Sequence, residues 1–170
     1  MMRYLGADLG TSSIKILLAD ENGNILDSEA RDYPIYYTAE NCAEQNPDDW
    51  YNAFVETIVS LGARHDLSVV DGVSFSGQMH GLVLLDKDDR VIRPAILWND
   101  NRTTRECDFL NQTIGKDKLV DWTGNIAFTG FTAPKVLWVR ENEPENFRRI
   151  VRIMLPKDYL IYKKIGRAHV

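Results

Sequence analysis

Cysteine is nearly absent, with Cys42 and Cys107 the two found in 170 residues. Two thiols so far apart supply neither a disulfide framework nor a cysteine-based zinc site, so both read as free thiols. Long apolar runs are missing too: no stretch of about 18 residues is apolar enough to span a bilayer. Lys and Arg form no run and the net charge is −5, which argues against nucleic acid or an anionic membrane as a main partner. Neither the Walker spacing of P-loop proteins nor the glycine fingerprint of dinucleotide folds occurs. Linkers and low-complexity stretches are lacking, and no internal domain boundary is visible. The N-terminus enters a strand pattern directly instead of a charged and then apolar leader, so a cytoplasmic protein is expected.

What is present is an ordinary globular composition, 44% hydrophobic and 26% charged, enough for one domain with a substantial core. Tyr4 to Leu9 and Ile14 to Ala19 read as strands, and Asn22-Gly23 predicts a tight hairpin into a third strand from Asn24 to Ala30. Asn46-Pro47-Asp48-Asp49 reads as a helix start, with an N-cap, a proline at the first helical position and acids on the positive end of the dipole. Trp50, Ala53, Phe54, Thr57, Ile58 and Leu61 then share one helical face, and Gly62 is placed to end it. A short buried strand is expected at Val69 to Ser74. A second hairpin follows, with Asp86 to Arg90 between Leu82–Leu85 and Val91-Ile92. Helices are expected from Asn101 to Ile114, Pro134 to Glu141, Pro144 to Arg149 and Pro156 to Tyr162, with a strand at Arg149 to Met154. The sheet is therefore mixed.

Two loops carry candidate chemistry. Between the first two strands, Asp8-Leu9-Gly10-Thr11-Ser12-Ser13 is suited to phosphate. Gly10 allows close backbone approach, the turn amides and the hydroxyls of Thr11, Ser12 and Ser13 can donate, Lys15 adds positive charge, and Asp8 would hold Mg2+. The bland alternative is an ordinary hairpin with an Asx or Ser turn. In the second loop, Ser76-Gly77-Gln78-Met79-His80-Gly81, a neutral imidazole at His80 can donate to and accept from a polyol or keto oxygen, while Gly77 and Gly81 leave room for a ligand. A half-buried histidine beside a core methionine is the alternative there. Trp98 can pack on the C–H face of a sugar, with Asn99, Asp100 and Arg102 reaching hydroxyls or supporting those that do. Lys135 and Trp138 read as structural, and His65 as a surface residue.

The hairpin Asp8 to Lys15 resembles the first phosphate loop of the FGGY family of sugar kinases. The run Ser74 to Leu82 is similar to the sugar-binding loop of the family's xylulokinases, and Trp98-Asn99-Asp100 with Arg102 matches another of their segments. Gly130, Thr132, Lys135, Trp138 and Glu141-Asn142 fall at the spacing of the family's N-terminal signature, and Leu155 to Leu160 is also similar. This resemblance covers nearly the whole chain. It implies an α/β architecture, the ribonuclease H-like or actin–hexokinase ATPase fold: a mixed sheet with flanking helices in a truncated N-terminal domain. It implies ATP and Mg2+ as cofactors, with Gly10, Thr11, Ser12, Ser13 and Lys15 on the nucleotide phosphates and Asp8 on the metal. Gln78, Met79, His80, Trp98, Asn99, Asp100 and Arg102 would bind D-xylulose or a related ketose. Partners would be the sugar and ATP, without nucleic acid or membrane, in a homodimer when complete.

In the family the proton-accepting aspartate, the second phosphate loop and the adenosine site come after residue 170. Asp100 and Asp158 are the only tempting substitutes, and their spacing assigns neither one that role. The stretch Ile165-Gly166-Arg167-Ala168-His169-Val170 departs from the family and resembles a translated sequencing adapter. Residues 1–164 are therefore read as the partial kinase domain and 165–170 as a non-native tail. The alternatives are another FGGY pentulose or hexulose kinase, or a non-catalytic sugar-binding domain on the same fold.

Overall fold

The computed structural model describes residues 2–165; Gly166 to Val170 of the expected tail, His169 among them, lie outside the described residues. Contacts divide the chain into two compact units where the sequence shows no boundary. One comprises residues through Ile35, Asn46–Gln78 and Pro156 onward; the other comprises Tyr36–Gln45 and Met79–Leu155. The division is invisible in composition because each crossing falls between ordinary residues of short connections, not in a linker.

In the first unit, β1 (Arg3–Leu9), β2 (Ser13–Asp20) and β3 (Ile25–Asp32) form the expected antiparallel meander. Gly23 at φ +83° turns the chain, and its amide donates to Asp20 O at 3.1 Å. Strict alternation puts Leu5, Ala7, Leu9, Ile14, Ile16 and Leu18 on one buried face. After β4 (Tyr36–Ala39) and β5 (Cys42–Gln45), which belong to the second unit, α1 (Pro47–Gly62) starts where its signals place it. The Asn46 side chain accepts from Asp48 N, and Trp50, Ala53, Phe54, Thr57 and Leu61 are buried. The helix ends at Gly62, as expected, without a left-handed residue, and Ala63 caps it in the right-handed region. His65 is not a plain surface residue: its Nε2 lies 2.8 Å from Asp27, which also pairs with Arg64.

The parallel partner of β1 is β6, and it spans Gly72–Gly77 instead of Val69 to Ser74. The Asp66 carboxylate accepts from Ser68 N and folds Leu67–Val69 into a 3-10 turn, which delays the strand. Sheet order is β3-β2-β1-β6, so β6 is last in line and is half-exposed instead of buried.

The second unit pairs β4, β5 and β8 (Ala95–Ile96) in one small sheet. Strand β7 (Val83–Leu85) pairs with β9 (Arg152–Met154) in another. The 86–90 turn does reverse the chain, but Val91 contributes a single bridge to Leu85 and β9 takes the ladder. The expected helix at 101–114 is α2 (Thr104–Leu110), and it continues through a π turn (Asn111–Gly115) into α3 (Lys116–Thr123). Helices α4 (Thr132–Asn142) and α5 (Pro144–Arg149) follow; α5 takes Arg149 and is capped by Ile150, so the expected strand starts late, at Arg152. Leu82, Leu84, Ile96 and Val139 form a core with Trp138, Phe147 and Ile150 against it. Back in the first unit, α6 (Pro156–Ile165) packs on α1 and β6, with Tyr159 edge-on to Trp50 and donating to Asp48 at 3.0 Å.

Candidate active site

Because the odd-numbered side chains Leu5, Ala7 and Leu9 of β1 are buried on one face, Gly6 and Asp8 point the other way. Register then sets Asp8 opposite Lys15 on β2 and opposite Ser76 on β6, and all three are exposed. One row behind lie Gly6, Leu17 and Ser74, and the two rows line a shallow depression of about 290 Å³. An acid, an amine and a hydroxyl on adjacent strands form a polar shelf, a donor set of hard oxygens beside a cation. A single carboxylate with room for water and phosphate oxygens suits Mg2+. The shelf therefore fits the metal expected at Asp8. Among the described residues, no group of three or more His, Cys, Asp or Glu forms a cage for a metal held by protein alone.

The turn above the shelf is tighter than the sequence suggests. Gly10 N donates to Ser13 O at 2.9 Å, so this amide is spent inside the hairpin. A Cβ on Gly10 would stand 3.0 Å from the same oxygen. Ser12 is exposed, while Thr11 and Ser13 are half-buried. Tyr33 clamps the turn, its hydroxyl donating to Gly10 O at 2.6 Å and its amide to Ser12 O at 3.0 Å. Burial, with the Asp8 charge nearby, pushes this phenol well above its usual range, which keeps it a donor. Nothing in the sequence marks Tyr33, since it sits 23 residues from Gly10 in a stretch that reads as a strand end.

The second loop is divided between the units. Gln78 belongs with the hairpin: its amide donates to Leu9 O at 2.7 Å and its side chain lies 3.4 Å from Gly10 O. Glycine is needed just before it, because a Cβ on Gly77 would come within 2.7 Å of Leu9 O. Met79 and His80 belong to the second unit. Met79 is 61% exposed, and His80 takes φ +63° in a three-residue turn closed by Gly81 N on Met79 O at 2.8 Å. The imidazole stacks on Phe131 at 4.4 Å. The His80 carbonyl accepts from Thr132 Oγ1 at 3.1 Å and from Lys135 Nζ at 2.9 Å. Lys135 also donates to Gly130 O, and a Cβ on Gly130 would come within 2.7 Å of Trp98 O. Lys135 thus ties the backbone of His80 to that of Gly130, which lies close against Trp98.

Within that segment the predicted residues separate. Trp98 is 48% exposed. Asn99 is half-buried, with a buried Oδ1 that no protein donor reaches. Asp100 is fully buried and accepts from Ala43 N at 2.7 Å and from Arg102 Nε and Nη2 at 2.9 and 2.8 Å. Arg102 further pairs with Glu44 at 2.7 Å, and Glu44 with Arg93, which reaches Glu143 at 2.6 Å. Both guanidiniums lie over the Trp138 ring. Asp100 and Arg102 are therefore occupied by each other and by β5, and act as support for Trp98 and Asn99. A cavity of about 400 Å³, lined by Leu110, Ile114, Ile126, Phe131, Pro134 and His80 among others, lies beside the histidine.

Comparison with known proteins agrees with this arrangement. Residues 3–170 match the N-terminal domain of the FGGY family of carbohydrate kinases. Xylulose kinase of Bacillus subtilis is 44% identical over 99% of this chain and 34% of its own length; that of Escherichia coli is 42% identical over 96% and 33%. A crystal structure described as a xyloylose kinase from Brucella ovis superposes with a TM-score of 0.90 at 44% identity, covering 94% of this chain and 34% of that one. Xylulose kinase from Bifidobacterium adolescentis superposes at 0.89 with 30% identity, over 99% and 35%. The chain thus spans about a third of the length of the relatives it matches. Its mixed sheet with flanking helices is the actin–hexokinase-like ATPase fold of these kinases, and the chain belongs to the FGGY family of carbohydrate kinases.

Proposed function

We propose that this chain supplies the first phosphate loop and part of the sugar site of an ATP-dependent kinase that phosphorylates D-xylulose or a close ketose. The observation that carries the proposal is the row Asp8, Lys15 and Ser76 exposed across three adjacent strands under a glycine turn. The names of the relatives support the ketose. Phosphoryl transfer forms a bond from a sugar hydroxyl oxygen to the γ-phosphorus, breaks the bond to the ADP oxygen, and sends the hydroxyl proton to a base. Mg2+ at Asp8 would neutralise phosphate charge as it shifts to the leaving group. Lys15 adds positive potential on the same face, and Ser12 and Ser76 offer hydroxyl donors. Met79, His80, Trp98 and Asn99 contact the sugar.

The proton acceptor comes from outside these 170 residues. Asp100 is locked by Arg102 and Ala43, and Asp158 lies 2.8 Å from Lys157 on α6. Catalysis of this kind is mostly positioning and charge stabilisation, so these residues alone turn over little sugar. The test is ADP release by a protein carrying this chain through the full length of its relatives, with Mg-ATP and a panel of pentuloses and hexuloses. D-xylulose should give the highest kcat/KM. ADP release that no ketose accelerates overturns the kinase reading, and a clear preference for another ketose overturns only the substrate.

A further inference from the structure

We infer that Lys135, assisted by Thr132, is a positioning residue that holds the Met79–His80 loop in its sugar-reading shape by clamping the His80 carbonyl. The inference rests on the sugar role proposed for that loop and explains how the loop keeps its geometry. A three-residue turn with a central φ of +63° at a non-glycine residue is the rare, strained form, and it persists only where its surroundings over-determine it. Two donors converge on the one carbonyl that the strain presents, and both come from the first turns of α4.

Packing alone does not fix the ring. His80 stacks on Phe131, and Phe128 meets Phe131 edge-on at 5.3 Å, but the 400 Å³ cavity beside them leaves the imidazole another place to go. Lys135 has no exposed surface, so water does not compete for its ammonium. Its second carbonyl, on Gly130, lies in a stretch packed close against the Trp98 backbone. A buried ammonium with nearby Asp100, Arg102 and Cys107 is an expensive way to satisfy two carbonyls. The return is a defined loop.

Two readouts test the clamp. In the 170-residue chain labelled with 13C,15N-histidine, the His80 amide–α coupling and Cα and Cβ shifts report its backbone region. The wild type should show the left-handed pattern, Lys135→Met should lose it, and Thr132→Val should shift it partway. In the full-length kinase, Lys135→Met should raise the ketose KM about tenfold or more, the equivalent of one lost buried hydrogen bond, with the ATP KM within about twofold. A merely structural lysine would lower the melting temperature and leave that split absent. The clamp is overturned if folded Lys135→Met keeps the wild-type His80 signature and ketose KM. Should that variant not fold, unchanged Thr132→Val overturns it by the same measures. A wild-type enzyme without ketose-dependent turnover defeats the kinase reading instead, and the histidine spectra still decide the clamp.

Discussion

Lys135 should make the stability of the chain rise with pH in a range where most proteins lose it. Complete burial pushes its ammonium down from 10.5 to about 8, with the Asp100 carboxylate offsetting part of the shift. Between pH 8 and 10.5 the unfolded chain still holds this proton while the folded chain has released it. Stability therefore increases with pH through that window and is flat in this term below it. At 1.36 kcal/mol per pH unit the gain is about 2–3 kcal/mol from pH 8 to pH 10. Lys135→Met at pH 7 removes the costly ammonium but strips a donor from two carbonyls, at about 1–3 kcal/mol each, so the two proteins should differ little there. By pH 10 the wild type should have gained the 2–3 kcal/mol that the variant lacks. Urea unfolding followed by circular dichroism at pH 7, 8, 9 and 10 measures both curves, and their difference cancels the tyrosines and Cys107. Parallel curves would refute the reasoning.

Asp8→Asn in the full-length kinase should lower turnover at saturating ketose about a hundredfold or more with little change in ketose affinity, measured by ADP release across a magnesium titration. Asp100→Ala should leave Arg102 to Glu44 and the Ala43 amide without its acceptor, and cost about 3 kcal/mol in urea unfolding. Gly77→Ala should cost about 1–3 kcal/mol by driving a methyl into Leu9, and its amide exchange should quicken first in β1 and β6.

The first hairpins and α1 were legible because each signal is local. Asn22-Gly23 permits the turn's positive φ, alternation sets the buried face, and Asn46-Pro47 starts the helix within four residues. Asp8 and Lys15 sharing one face was legible by the same means, since period two fixes which side of β1 and β2 they take, but Ser76 joins them only through the β1–β6 pairing and read as part of the other loop. What was missed depends on residues that meet from afar. Strands β4 and β5 carry no alternation, their turn uses Asn41 at φ +63° instead of glycine, and β5 buries Glu44 and Gln45. Glu44 is there to meet Arg93 and Arg102, about 50 residues on, and no spacing rule announces such a partnership. The same holds for Asp100, whose placement beside Trp98 suggested a sugar contact until Ala43 and Arg102 filled its coordination. Tyr33 was silent because one phenol hydrogen bond across the sheet leaves no pattern.

The interleaving of the two units bears on synthesis. Leaving the ribosome N-terminus first, the chain has every piece of the second unit once Leu155 is out, while the first, which owns the N-terminus, still waits for α6. Until then Trp50 lacks Tyr159, and the α1 and β6 surfaces that α6 packs on stay wet. No single cut in the gene yields either unit whole. Chopping the chain into halves for expression would give pieces with exposed apolar faces, whereas the second unit alone would need Tyr36–Gln45 rejoined to Met79–Leu155.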